Sequence, residues 1–339
     1  GKPRRLDGVM VTAAGADDIV FPLSVKSALN HLIDIDKLYI VCRDPLSLSD
    51  KYGKNFGERV TFIDESSFPI RKENVTYGMW LTAEEKRRPR YPMNDGNSPL
   101  EQLLKTKSGW YLQQVLKFYA GEFLDLQDWV VLDSDIVWHR DVLLKVPTKS
   151  GATPDASVVP KYYYAYGTQY HLQYYATMKV LTDLWPVAEG AKKKTHFSGI
   201  VHHMVMVKDV VEDIKRYVSA KHGIPLWQAM GNVSTLELVS HYPGIKNKLS
   251  GDGSVLSEYE IYFNYAVQKW PHTVKLRPLL FANGPSPNKF YYPRTKDGSI
   301  PADSWRRSPH WEAFGHNRYR FVTTQMRADA LMGFDFVAY

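Results

Sequence analysis

Short apolar runs alternate with a helical pattern through the first 64 residues, and this alternation limits the fold more than any other feature. Strands are predicted at Asp7–Gly15, Lys37–Cys42 and Val60–Asp64, and apolar residues recur at helical spacing from Phe21 to Leu32. Strands joined by helical crossovers are typical of a parallel sheet. We therefore predict an α/β protein with a parallel sheet and crossover helices.

The bulk composition is that of a soluble globular protein. The chain has 339 residues, of which 44% are hydrophobic and 23% are charged, and no run of 18 apolar residues is present. The net charge of +7 would suit an anionic ligand, but the basic residues are dispersed, with the densest clusters at Lys86–Arg90 and Lys192–Lys194. A nucleic-acid or polyanion binding module is therefore the weaker interpretation of this charge.

Cys42 is the sole cysteine of the chain, which excludes an intrachain disulfide and a Cys₂ or Cys₄ zinc site. This mildly favours a reducing compartment. The sequence begins at Gly1 rather than at Met. We expect a cytoplasmic protein, or a protein of the Golgi lumen if an N-terminal anchor has been removed.

Two aspartates follow a strand-like run in the middle of the chain. Trp129–Leu132 is apolar and β-branched, and Asp133 and Asp135 come directly after it. If the strand continues, the two carboxylates point to one side at the edge where open α/β sheets bind ligands. They repel each other unless a cation lies between them, and hard oxygen ligands suit Mg²⁺ or Mn²⁺ with positions left for phosphate. The pair predicts a metal–diphosphate site, although Asp-Ser-Asp also fits a surface turn.

Three further elements are predicted, one before this pair of aspartates and two after it. A periodic helix covers Gly109–Phe123, and a strand covers Phe197–Val207 with His202 and His203 inside it. Neighbouring residues of a strand point to opposite faces, so we expect only one of the two histidines to face a site. A helix runs from Leu256 to about Trp270, with Ser257 as its N-cap and Glu260 closing a capping box.

Four stretches, taken in order, resemble GT-A fold nucleotide-sugar glycosyltransferases, and more narrowly a poorly characterised group of them. They are Gly109–Lys117, Leu132–Val137, His202–Val205 and Ser257–Glu260. The resemblance covers about residues 8–285. It implies one continuous GT-A-like α/β domain over 1–339, with a Rossmann-type mixed sheet flanked by helices. Within it, about 7–150 would be the nucleotide-binding half, about 151–285 the donor-sugar and acceptor half, and 286–339 a C-terminal extension.

The resemblance also implies a metal centre. Asp133 and Asp135 match the Asp-x-Asp motif of the family, with Asp135 as the more direct ligand of Mn²⁺ or Mg²⁺. A histidine near the C-terminus often completes such sites, and here His316 is the candidate, with His310 as the alternative.

Donor binding and catalysis are implied in the same way. The residues matched to the nucleotide and the donor sugar are Val11, Thr12, Ala13, Ala14, Asp133, Ser134, His202 and His203. Glu258 matches the acidic helix start at which inverting members place their base. A carboxylate in that position could instead only stabilise the helix dipole, which is worth roughly 0.3–1 kcal/mol.

The expected activity is transfer of a sugar from a UDP- or GDP-linked donor to a hydroxyl group of a glycan or glycoconjugate, with inversion and with Glu258 as base. Nucleic-acid or polyanion binding remains an alternative, and it would weaken steeply with salt. A metal-dependent nucleotidyltransferase is a second alternative. Such enzymes usually carry a Gly-rich phosphate loop, which this sequence lacks.

Overall fold

A computed structural model defines the fold. It describes residues 5–12, 21–76, 99–147, 160–167, 172–186, 197–232, 256–277, 279, 281–283 and 336–338. The chain divides into two compact units. The first unit comprises Gly1–Ile63, Leu132–Val146 and Pro278–Tyr339, and the second comprises Asp64–Val131 and Pro147–Arg277.

The α-helices of the described residues are α1 Phe21–His31, α2 Pro45–Leu48, α3 Lys54–Phe56, α4 Lys72–Thr76, α5 Pro99–Phe123, α6 Leu172–Thr182, α7 Lys208–His222, α8 Leu226–Asn232 and α9 Glu258–Lys269. The strands are β1 Leu6–Val11, β2 Ile35–Cys42, β3 Val60–Asp64, β4 Asp128–Leu132, β5 Ile136–Trp138, β6 Tyr162–Tyr164, β7 His203–Val207, β8 Val274–Leu276, β9 Phe281–Asn283 and β10 Phe336–Ala338. Among the described residues, no helix combines the length and the apolar character that a membrane span needs.

In the first unit, β1 and β2 pair in parallel, with the register running from Leu6 opposite Ile35 to Val11 opposite Val41. Strand β2 lies between β1 and β3. The apolar residues of β1 and β2 are buried, which is why both strands have near-continuous apolar sequences. The predicted α/β class, with a mostly parallel sheet flanked by helices, is confirmed.

A second sheet of the first unit has the order β5-β10-β9. Strand β10 runs antiparallel to β5 and parallel to β9. Helix α1 fixes β5, because the backbone N–H of Trp138 donates to Ser27 Oγ at 3.0 Å. Strand β5 is the element that follows the two predicted metal-binding aspartates in the chain.

In the second unit, β4 and β7 are neighbouring strands, and β6 pairs in parallel with β8. Tyr262 of helix α9 is buried behind β7, where its hydroxyl accepts the backbone N–H of Val207 at 2.8 Å and lies 3.2 Å from the hydroxyl of Tyr164. These bonds satisfy polar groups that would otherwise be costly in a core. Helix α9 is therefore fixed against the strand that carries His203.

The predicted division of the chain into two halves and a C-terminal extension remains a prediction. The predicted strand at Val60–Asp64 has the same bounds in the structure. The predicted helix at Gly109–Phe123 begins ten residues earlier, at Pro99. Proline is well suited to the first turn of a helix, where its missing N–H would have no intrahelical partner.

Candidate functional site

The Asp133–Ser134–Asp135 segment is a half-buried turn. Strand β4 ends at Leu132, the three residues turn the chain, and β5 begins at Ile136. Strand geometry therefore does not continue through the aspartates, because Asp and Ser favour turns over strands. The turn is not fully solvated either, since Ser134 is 6% exposed and both aspartates are only partly exposed. The pair thus offers two carboxylates from one short turn.

A backbone hydrogen bond joins the residue after β1 to β2. In it, the N–H of Thr12 donates to the carbonyl of Val41 at 2.9 Å. Val11 and Thr12 are each 4% exposed. Both residues are therefore buried as a whole, and their predicted contact with a nucleotide base remains a prediction. Ala13 and Ala14 lie outside the described residues.

The two histidines occupy different backbone environments. Strand β7 begins only at His203, and His202 precedes it with φ of +61°. The expected alternation of both histidines across one strand is therefore wrong. His203 is 3% exposed, and its Nδ1 lies 2.8 Å from the carbonyl oxygen of Val201, to which it must donate because a carbonyl only accepts. His203 is thus a core histidine with a satisfied hydrogen bond.

His202 is the half-buried histidine of the pair. Asp133 and Asp135, both in the first unit, are the carboxylates of a candidate metal site. The sequence pattern predicts His202 for the donor-sugar pocket, and that role remains a prediction. His316, the third ligand predicted from the sequence, lies outside the described residues, as does His310.

Glu258 is the first residue of α9, and its side chain is buried rather than solvated. Its carboxylate Oε1 lies 2.7 Å from Lys117 Nζ of helix α5, and the two side chains are 1% and 2% exposed. The backbone N–H of Glu258 donates to Gln114 Oε1 at 3.1 Å. Glu258 therefore does more than face a helix dipole, because it links the start of α9 to α5.

Lys117 has further contacts in the same place. Its Nζ lies 3.3 Å from the hydroxyl of Tyr259 and 4.5 Å from the centroid of that ring. Its backbone carbonyl accepts the indole N–H of Trp129 at 3.3 Å. No role was predicted for Lys117 or Gln114, although both lie in the Gly109–Lys117 stretch. The available signal was a lysine inside the otherwise apolar run Val115–Ala120.

Glu260 lies in the first turn of α9 and is 0% exposed. Ser257 caps the helix as predicted, because its Oγ accepts the backbone N–H of Glu260 at 3.3 Å. The Glu260 carboxylate does not complete the predicted capping box. It accepts instead from Ser198 Oγ, from the backbone N–H of Gly199 at 3.0 Å and from Asn264 Nδ2 at 3.0 Å. Burial raises the pKa of Glu260 to about 7, while these three hydrogen bonds act in the opposite direction.

Several solved structures are similar to the chain at low sequence identity. An active-site mutant of LgtC is 14% identical, with 98% of this chain and 87% of that chain covered and a TM-score of 0.34. The galactosyltransferase LgtC in complex with donor and acceptor sugar analogs is 11% identical, with the same coverage and a TM-score of 0.33. Mouse xyloside xylosyltransferase 1 is 10% identical, with 84% of this chain and 89% of that chain covered and a TM-score of 0.34.

No curated protein matches the sequence. Residues 35–273 match the model of a family described as "Family of unknown function (DUF6492)". This segment contains the Asp133–Asp135 turn, the adjacent histidines His202 and His203, and the start of α9. Because it spans well over half of the sequence, the chain belongs to this family of unknown function.

Proposed function

We propose that this protein is a metal-dependent glycosyltransferase that moves a sugar from a UDP- or GDP-linked donor to a hydroxyl group of a glycan or glycoconjugate. The observation that carries the proposal is the half-buried turn Asp133–Ser134–Asp135 directly after the buried strand β4. Two carboxylates two residues apart in a partly dehydrated turn repel each other, and a divalent cation removes that repulsion. The resemblance of four stretches to GT-A enzymes supports the same assignment.

The chemistry of the donor group fits a divalent cation. Asp133 and Asp135 supply carboxylate oxygens from one turn of the first unit. Carboxylate oxygens suit both Mg²⁺ and Mn²⁺, so we propose one of these two ions. When bound, the ion would neutralise the charge that develops on the leaving diphosphate.

In this reaction the acceptor hydroxyl oxygen forms a bond to the anomeric carbon as the bond to the diphosphate breaks, and the hydroxyl proton needs an acceptor. We propose Glu258 for this role in an inverting reaction. The Lys117 ammonium at 2.7 Å favours the ionised carboxylate, which is the form that accepts a proton. The 1% exposure of Glu258 favours a second role, in which it fixes the start of α9 to α5. A retaining reaction would not require Glu258 as a base.

Binding of nucleotide and metal tests the proposal most directly. The melting temperature of the protein would be measured with UDP, GDP and their sugar conjugates, each with and without Mn²⁺. We expect one nucleotide to raise it when Mn²⁺ is present, since a ligand at 100 times its Kd stabilises a protein by about 2.7 kcal/mol. Asp135→Ala should abolish this shift.

Asp141→Ala is the matched control, because Asp141 is an exposed aspartate that pairs with His31 at 3.0 Å, also in the first unit. It should leave the nucleotide shift intact. The proposal fails if no nucleotide stabilises the protein in the presence of Mn²⁺, or if Asp135→Ala retains the shift. Binding of RNA or heparin that weakens steeply with salt and survives Asp135→Ala would support the polyanion alternative instead.

A further inference from the structure

Strands β6 and β8 form a parallel ladder that lies wholly within the second unit. The register places Tyr163 of β6 opposite Lys275 of β8. The backbone N–H of Arg277 donates to the carbonyl of Tyr164 at 2.9 Å, which extends the ladder one residue beyond β8. The backbone positions of Tyr163, Lys275 and Arg277 are therefore set by the pairing of the two strands.

The side chains of these three residues meet on one face of the ladder. Neighbouring residues of a strand point to opposite faces, and Tyr162 and Tyr164 are buried, so Tyr163 points to the other, partly exposed face. Lys275 Nζ lies 5.2 Å and Arg277 Cζ lies 4.4 Å from the centroid of the Tyr163 ring. The face of an aromatic ring attracts cations. One tyrosine ring thus brings two positive groups close together.

A third basic residue stands at the start of β6. Lys161 directly precedes the strand, and both Lys161 and Lys275 are exposed. Among the residues that the structure describes, neither of these lysines forms an ion pair with an acidic side chain. Like charges held close together repel each other, and a bound anion removes that repulsion. Tyr163, Lys275, Arg277 and Lys161 are called here the β6–β8 surface.

Another lysine of the second unit shows the contrast. Lys215 Nζ lies 4.3 Å from the centroid of the Tyr119 ring, so it also contacts the ring of a tyrosine. The same ammonium group lies 2.7 Å from a carboxylate oxygen of Glu122 and 2.8 Å from one of Glu212. The charge of Lys215 is therefore balanced by the protein itself. At Lys275, an anion from outside the described chain would have to supply the balance.

The residue types on the β6–β8 surface favour a phosphate group as that anion. A guanidinium group presents a planar fork of N–H donors that matches two oxygens of a phosphate, and an ammonium group adds a compact positive charge. A phosphate monoester carries roughly −1.5 to −2 charges at pH 7, whereas a carboxylate carries one, so the ester suits two cations better. A nucleic-acid chain would need many cations in a row, whereas three basic residues beside one ring suit a single phosphate group.

We propose that the β6–β8 surface binds the phosphate monoester group of a small molecule, such as a sugar phosphate, without a metal ion. Arg277 would hold two phosphate oxygens, Lys275 would contribute the second charge, and Lys161 would add attraction from the edge. Tyr163 would keep the two cations in place through its ring. This binding site goes beyond the proposed glycosyl transfer and does not depend on the Asp133–Asp135 turn.

Titrations with inorganic phosphate and with glucose 6-phosphate test the proposal, with EDTA present to remove metal ions. The line width of the ³¹P nuclear magnetic resonance signal would report the bound fraction and give the Kd. We expect both ligands to bind, sulfate to displace them, and glucose to leave them bound. Lys275→Gln and Arg277→Gln should each raise the Kd by about tenfold, because each removes a charged hydrogen-bond donor. Arg277→Lys should raise it less, since it keeps the charge but loses the planar fork.

Lys215→Gln is the matched control, because it removes another lysine that contacts a tyrosine ring but whose charge is already balanced. It should leave the Kd for phosphate unchanged. If Arg277→Gln does not fold, Lys275→Gln carries the test, since Lys275 is exposed. Asp135→Ala should bind phosphate like the wild type in EDTA, so the failure of either proposal leaves the other standing.

Three outcomes would overturn the inference. The first is a wild-type protein that leaves the ³¹P signals unchanged at millimolar ligand. The second is a Lys275→Gln variant that binds phosphate with the wild-type Kd. The third is a Lys215→Gln variant that loses as much affinity as Lys275→Gln, because the effect would then reflect the overall charge of the protein. Binding of a single-stranded oligonucleotide without binding of phosphate would assign the surface to a polymer and would equally overturn it.

Discussion

Lys117 Nζ and Glu258 Oε1 lie 2.7 Å apart, and the two side chains are 2% and 1% exposed. The residues are 141 positions apart in the sequence and join α5 to α9. Removing a charge from water is costly unless an opposite charge and hydrogen bonds replace the solvent. The burial of each of these residues therefore depends on the presence of the other.

Substitution of Lys117 should destabilise the protein strongly. Lys117→Met keeps an apolar side chain of similar length but removes the ammonium group beside Glu258. Removing one partner of a buried ion pair costs about 3–5 kcal/mol, and we expect a loss of this size in the free energy of unfolding measured with urea. Arg216→Met is the control, because Arg216 is 74% exposed in its pair with Asp213 and should cost at most about 1 kcal/mol. Equal losses in the two variants would contradict the expectation.

Glu258→Gln separates the catalytic from the structural role of this residue. The amide oxygen can still accept from Lys117, but the buried ammonium loses its counter-charge, so stability should fall and the kinetics should be measured well below the lowered melting temperature. If Glu258 is the base, kcat should fall by about 10²-fold or more, while KM for the donor changes little. Steady-state kinetics with the nucleotide sugar found by thermal shift would measure this. A variant that loses stability but keeps kcat within about tenfold would assign Glu258 to structure alone.

The free energy of unfolding should depend on the titration of Glu260. Burial raises its pKa from 4.5 to about 7, so the folded protein keeps a proton that the unfolded chain releases. Between these two pH values, unfolding releases this proton, and stability falls as the pH rises, by at most about 1.4 kcal/mol per pH unit. Urea denaturation of Glu260→Gln at several pH values should show a flatter profile from pH 4.5 to 7. An unchanged profile would show that Glu260 does not titrate there.

Gly121 should not tolerate alanine, although alanine favours helices. A Cβ atom at this position would overlap the indole ring of Trp129, which lies in β4. The overlap should cost about 1–3 kcal/mol and outweigh the roughly 1 kcal/mol that alanine gains over glycine in a helix. Thermal unfolding would measure the difference. Trp129→Phe should relieve part of the effect of Gly121→Ala, and strictly additive losses would contradict this contact.

Local patterns in the sequence were enough to predict two of the elements next to the candidate residues. The β-branched run before Asp133 predicted β4, and the Ser257 cap predicted the start of α9. The α/β class followed from the same short-range signals, because apolar periodicity reflects which face of an element is buried. These predictions needed no knowledge of contacts between distant residues.

Other features depend on distant residues and could not be predicted. From the helix sequence alone, the Glu260 carboxylate is predicted to cap its own helix. In the structure its partners are Ser198 and Gly199, which lie about 60 residues earlier in the chain. The left-handed conformation of His202 likewise depends on its surroundings, since histidine is enriched at positive φ but adopts it at few positions. The turn at Asp133–Asp135 was an alternative to a continuing strand, and the strand interpretation gave too little weight to the turn preference of Asp and Ser.

The position of β10 between β5 and β9 has a consequence for synthesis on the ribosome. Strand β5 directly follows the Asp133–Asp135 turn, but β10, its partner in the sheet, comes about 200 residues later. At roughly 5–20 residues per second, the nascent chain waits roughly 10–40 s between making β5 and making β10. The aspartate turn is thus translated well before the sheet on its C-terminal side can be completed.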